Sequence, residues 1–249
     1  MEEPGPATRQ ELTGLTRLNQ RNAACASMVR ALDENMGRLL IALKEQGLYD
    51  HTTIIFTSDN GGLSTFKKGR GDLAPASVAP LRAGKGWLYE GGIRVPLLIE
   101  PAGYSGTGKT VAQPVTGTDF YPTILRLAGL EIPEGAAPDG HDLAPLLNGT
   151  ATLDRQTLYW HYPHYHGSGW TPGAAMRQGD WKLLHLYEYG ATELYHLGDD
   201  PGEQRNLAGQ HPEKTEELLR QLLQWQKQTG VAQVRQHPYL PARKHLEKQ

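Results

Sequence analysis

The stretch from Asn22 to Gly62 constrains the fold most. Met28, Leu32, Met36, Leu39, Leu40 and Leu43 recur at helical spacing and share one face. Gly47 stands where a helix C-terminal cap belongs. The run "TTIIFTS" that follows is short, apolar and β-branched, the signature of a buried strand. A helix followed by such a strand is half of a βαβ unit, which places the chain in the α/β class. The strand runs into "TSDNGG", Thr57 to Gly62. In open α/β sheets, ligands collect at the carboxyl ends of the strands. Asp59 and Asn60 offer one charged and one neutral hard oxygen there, which suits Ca²⁺ or Mg²⁺. A plain tight turn is the competing reading, because Asn-Gly is a favoured turn pair that a preceding Asp can cap.

The loop "LRAGKGWLYEGGIRVP" shifts that balance. Lys85 lies between two glycines, so its amine can reach a cleft without neighbouring bulk. A cation beside hard-oxygen donors suits an anionic group such as sulfate or phosphate; an ordinary solvated lysine is the alternative. Glu90 reads as structural, pairing with a cation or with backbone amides. For Arg94, strand-edge pairing outweighs contact with an anion. In "WHYPHYHGSGW", His164 and His166 read as substrate contacts and His161 as a satisfied, partly buried histidine. Zinc is disfavoured, because no cysteine lies nearby.

The remaining organisation is coarser. Residues 1–20 read as a flexible lead-in, 21–150 as α/β, and 151–249 as a smaller α+β unit. "RVPLLIE" is a second apolar strand. "TDFYPTILRLAG" is a helix with Asp119 at its N-cap and Pro122 in its first turn. Beyond residue 151, "TLYWHY", "GAAMR", "WKLLHLYEY" and "TELYHL" read as antiparallel strands, with Gly179-Asp180 in a two-residue hairpin turn. Pro212 opens a helix that ends at Gly230. The strands and turns between Trp181 and Ala208 read as core and punctuation, without chemistry.

Composition excludes several classes. The 249 residues are 38% hydrophobic and 21% charged, enough to fold. A formal net charge of -2 lacks the basic excess of a nucleic-acid binder. No apolar run approaches a membrane span, and the polar N-terminus has no signal-peptide core. Cys25 is the single cysteine, so no internal disulfide forms.

Five ordered blocks, "MVRALDENMGRLLIALKEQGLYDHTTIIFTSDNGG", "GKGWLYEGGIRVPLLI", "TGTDFYPTILRLAG", "DGHDLAPLLNG" and "ELYHLGDDPGEQRNLA", together resemble the type I sulfatase family of the alkaline phosphatase superfamily. The resemblance implies a partial alkaline-phosphatase-like sheet with helices, plus a C-terminal antiparallel sheet packed with one helix. It implies sulfate-ester hydrolysis, Ca²⁺ held in part by Asp59 and Asn60, and Lys85 as a catalytic group touching the sulfate. The implied partner is a sulfated small molecule or glycan, with neither nucleic acid nor membrane. Members of the family are often periplasmic, secreted or lysosomal.

One departure is large. The family nucleophile is a formylglycine made from a Cys/Ser-x-Pro/Ala-x-Arg motif far upstream of "SDNGG", and only 58 residues precede Asp59. After Cys25, Ser27 stands where Pro or Ala belongs and Val29 where Arg belongs. The paired aspartates of the family's first strand are missing too. The chain therefore reads as the C-terminal portion of a sulfatase, inactive alone, with an open sheet edge and a missing N-terminal half as a candidate partner. A non-catalytic glycan-binding chain is the alternative. A two-metal phosphatase would want His and Asp ligands after "SDNGG", and "GGLSTFKKG" offers none.

Overall fold

The structure is a computed structural model describing residues 8–69, 74–104, 108–136, 138–149 and 152–231. The elements run β1 (Thr8–Gln10), β2 (Gly14–Arg17), α1 (Ala23–Glu45), β3 (Ile54–Thr57), β4 (Thr65–Lys67), α2 (Glu90–Ile93), β5 (Leu97–Glu100), α3 (Phe120–Leu127), α4 (Ala144–Asn148), β6 (Thr157–Tyr162), β7 (Gly173–Gln178), β8 (Trp181–Leu186), β9 (Ala191–His196) and α5 (Pro212–Thr229). They form two units that interleave along the chain: residues 1–26, 58–95 and 156–249 in one, residues 27–57 and 96–155 in the other. The boundary near residue 150 is thus only one of several crossings. Linear composition registers a single change of style, not a chain that leaves a unit and returns.

In the first unit, β6, β7, β8 and β9 form an antiparallel sheet in sequence order. Gln178 pairs with Trp181, so Gly179 and Asp180 make the two-residue turn, with Gly179 at φ 59°. The period of two divides the side chains between the faces. Ala174, Met176, Leu183 and Leu194 meet Leu218 and Leu222 of α5 on one side. Ala175, Leu184, Leu186 and Tyr195 meet Trp87, Tyr89 and Trp170 on the other. These three aromatic residues pack mutually: Trp87 and Trp170 are 5.7 Å apart edge-on, and Tyr89 and Trp170 are 6.3 Å apart. Each buries surface equivalent to roughly 4–6 kcal/mol of transfer free energy. Gly230 caps α5 in the left-handed region at φ 65°.

Residues 8–17 are not a lead-in. β1 pairs with β2, and β2 with β4, all antiparallel. Glu11 is buried and accepts from Arg82 Nε at 2.8 Å. These strands are too short and too polar for periodicity to reveal; β1 and β2 form a local hairpin, and the long-range pairing of β2 with β4 holds it.

In the second unit β3 pairs with β5 antiparallel, Ile55 opposite Ile99. This pair is not the parallel pair of a βαβ unit, and the strand expected to be buried is only partly so, since Ile54, Ile55 and Phe56 are half-buried and Thr57 is exposed. Among the described residues neither strand has a second neighbour. Helix α1 has the expected periodicity, yet none of its residues is buried. Met28 is 73%, Leu32 53% and Leu39 52% exposed. Spacing identifies an apolar face, and among the described residues that face is not buried.

Asp119 does not cap α3 with its side chain. Its buried carboxylate accepts from Thr116 N–H at 2.8 Å, from His141 N–H at 2.9 Å, and from both Arg155 Nη atoms at 2.7 and 2.8 Å. Burial pushes the acid up in pKa, but Arg155 and the two amides outweigh it and hold the carboxyl below its usual value.

Candidate functional site

The "TSDNGG" turn and the "GKGWLYEGG" loop lock together by backbone. Gly61 N–H donates to Gly92 O at 2.9 Å, and Lys85 N–H to Gly62 O at 3.0 Å. A Cβ on Gly61 would lie 1.7 Å from Gly91 O, and one on Gly84 would lie 2.1 Å from Ser64 Oγ. The paired glycines of both stretches therefore permit this close approach, which no larger residue could share.

The approach lines one cavity of about 530 Å³ with Ser58, Asn60, Phe66, Lys85, His166 and Ser168. Gly86, at φ 84°, allows the His166 ring to lie directly on the loop. No carboxylate among the described residues pairs with the Lys85 ammonium, so its charge is free for an external anion. Asn60 Nδ2 donates to Gly61 O at 3.1 Å, which turns the amide's oxygen away from that contact.

The other candidates stand differently. Asp59 is exposed and does not line the cavity; its Oδ1 accepts from Asn60 N–H at 2.9 Å, the turn-capping contact. His164 is exposed, packs edge-on to Tyr162 at 5.6 Å and does not line this cavity. The chain bends at His164 and turns at residues 167–168, and His166 lines the cavity at the start of that turn. His161 is satisfied by Tyr187, with 2.8 Å between Nδ1 and the hydroxyl.

As a calcium site the described donors are incomplete. Asp59 and Asn60 supply two hard side-chain oxygens, a minority of the 6–8 that Ca²⁺ takes. No group of three or more His, Cys, Asp or Glu side chains among the described residues could hold a metal.

Behind the loop lies a charged core that sequence reasoning passed over as plain packing. Lys182, on the β8 face shared with Leu184 and Leu186, is fully buried. Its Nζ lies 2.9 Å from Glu90 Oε1 and 2.8 Å from Glu203 Oε1. Glu203 also accepts Glu90 N–H at 2.6 Å, and it holds a left-handed φ of 50° to do so. Burial drives the Glu203 carboxyl up, Lys182 opposes this, the Glu90 charge adds to it, and the result is about 7. Glu90 is thus the structural residue expected, and Arg94 approaches it at 3.8 Å. Nearby, Arg82 Nη1 donates to Tyr195 OH at 2.7 Å, and the guanidinium stacks 3.9 Å from the Tyr89 ring centroid. A lysine in register with apolar residues on an inward strand face was the available signal.

Two family models match the chain: sulfatase over residues 4–130, and the C-terminal region of N-sulphoglucosamine sulphohydrolase over residues 83–229. A sulfatase of Formosa agariphila is 35% identical over 205 residues, covering 75% of this chain and 35% of the relative. Human arylsulfatase A is 35% identical over 218 residues, covering 78% of this chain and 41% of the relative. The solved structure of Ps i-CgsB in complex with k-i-k-neocarrahexaose superposes with a TM-score of 0.64 at 32% identity, covering 80% of this chain and 42% of that one. The chain spans about two fifths of the length of these relatives. Among the described residues, no helix is long and apolar enough to cross a membrane.

Proposed function

Since the chain belongs to the sulfatase family, with both family models covering more than half of it, we propose that it forms the C-terminal portion of a sulfuric ester hydrolase. One observation carries this reading: Asn60 and Lys85, from two stretches locked by glycine contacts, line a single cavity. The ammonium offsets charge on a sulfuryl group and its leaving oxygen, and the rigid backbone holds it there before the ligand arrives. Asp59 and Asn60 contribute two oxygens to a calcium site, with magnesium as the alternative, and residues outside this sequence complete it. When bound, the ion adds Lewis-acid polarisation of the sulfate. Lys85 and His166 bind a sulfated small molecule or glycan.

The sequence contains no Cys/Ser-x-Pro/Ala-x-Arg motif, so the chain alone has no formylglycine nucleophile and no turnover. The decisive assay uses the 249-residue chain with an aryl sulfate and calcium, beside calorimetric titration of inorganic sulfate. Binding that Lys85→Ala abolishes, without hydrolysis, is the expected pair of results. Turnover that survives Cys25→Ala overturns the inactivity, and sulfate binding indifferent to Lys85→Ala overturns the site.

A second reading, a partner chain that completes a separately encoded nucleophile-bearing half, draws support from the exposed apolar residues of α1. Co-expression with such a half raises solubility and restores activity if this holds; unchanged behaviour rejects it.

A further inference from the structure

The turn from His166 to Trp170 is closed by its own backbone. His166 N–H donates to Trp170 O at 3.1 Å, and Gly169 N–H donates to His166 O at 2.9 Å. Gly169 has φ 103°, and a Cβ there would lie 2.9 Å from Thr13 Oγ1. The Thr13 hydroxyl donates to Gly169 O and ties the turn to the segment before β2.

The imidazole is fixed as firmly as the backbone. Ser168 N–H donates to His166 Nδ1 at 3.1 Å, and Ser168 Oγ lies 2.7 Å from the same nitrogen. A ring nitrogen that accepts a backbone N–H presents its lone pair, so the proton of the neutral ring is on Nε2. Ser168 is only 1% exposed, so water does not compete for these contacts. A Cβ on Gly86 would lie 2.1, 2.4 and 2.5 Å from Nδ1, Cγ and Cε1. The loop backbone at Gly86 therefore packs against the face of the ring over Nδ1, which leaves Nε2 outside that contact. No described residue accepts from Nε2.

We infer that Ser168 is a positioning residue: it holds His166 as the Nε2–H tautomer, so that the cavity Lys85 also lines carries a fixed neutral hydrogen-bond donor for a sulfate monoester. The ammonium supplies attraction for the anion, and the imidazole N–H supplies direction. The inference rests on the cavity reading above and deepens it.

Long-range proton–nitrogen NMR of the full chain at about pH 8, where an ordinary imidazole is neutral, reads the tautomer without any ligand. The expected spectrum has His166 Nε2 protonated and Nδ1 bare. Inorganic sulfate then shifts the Nε2–H signal, and Lys85→Ala abolishes that shift. Ser168→Ala keeps the backbone donor but loses the hydroxyl; it brings partial tautomer averaging and about fivefold weaker sulfate binding, the value of one hydrogen bond. His166→Gln, whose amide reaches the Nε2 position, retains more affinity than His166→Asn, and this pair decides the matter if Ser168→Ala fails to fold. A protonated Nδ1 in the wild-type chain overturns the inference outright. So does sulfate binding that depends on Lys85 yet leaves His166 unmoved. A correct tautomer with no response to sulfate anywhere rejects the cavity reading, and the donor role with it.

Discussion

Replacing Lys182 with Met tests the charged core behind the Lys85 loop. The substitution keeps most of the volume and removes a cation that is fully buried. Its Nζ lies 2.9 Å from one carboxylate and 2.8 Å from another. At an effective dielectric of about 20, each contact is worth roughly 6 kcal/mol of gross attraction, offset by a desolvation cost of several kcal/mol per ion. The net value of the cluster is small, but removing one partner leaves two buried acids without their lysine, a loss of about 3–5 kcal/mol. The loss carries a pH signature. Glu203 is raised from 4.5 to about 7 in the folded chain, so between those values the folded state holds a proton that the unfolded state has released. Stability therefore falls as pH rises through that window, by about 3 kcal/mol for a shift of this size. Without Lys182 the carboxyl rises further, and the window extends upward. Urea unfolding followed by tryptophan fluorescence should show Lys182→Met losing more stability at about pH 8 than at about pH 5. Adding Glu203→Gln should recover part of the loss at the higher pH. A loss below about 1 kcal/mol at about pH 8, or one independent of pH, refutes the assignment of a mutually dependent buried cluster.

Other substitutions probe separate features. Gly61→Ala would place a Cβ 1.7 Å from Gly91 O, so it should cost several kcal/mol or prevent folding; a thermal midpoint within a few degrees of wild type contradicts the backbone lock. Gly37→Ala, in α1 with nothing within 4 Å of the new Cβ, should instead stabilise by about 0.5–1 kcal/mol in the same melt. Asp119→Asn removes the acid that both Arg155 nitrogens hold and should cost about 3–5 kcal/mol. Because that acid titrates below its usual value, its contribution is present above the unfolded pKa of 3.8 and lost as pH falls through the lower folded value. Unfolding curves of wild type and variant should therefore converge in strong acid, and parallel curves there contradict the pairing.

Local order was written plainly in the sequence. The α1 periodicity, the Gly179-Asp180 hairpin, the Pro212 start and Gly230 stop of α5, and the glycine-flanked Lys85 all follow from short-range rules. Backbone conformation and side-chain period operate over a few residues, so a few residues suffice to read them. Three matters needed the tertiary structure. The hairpin around Glu11 pairs with β4 across the chain, β3 runs antiparallel to β5, and Lys182 finds Glu90 and Glu203 in a core where no linear spacing links them. The histidines make the same point at the site: one residue separates them, yet His166 lines the cavity while His164 is exposed. Sequence specifies which groups are available and how each local segment bends, whereas burial, pairing partner and shared cavity depend on contacts between distant segments that exist only once the chain has folded.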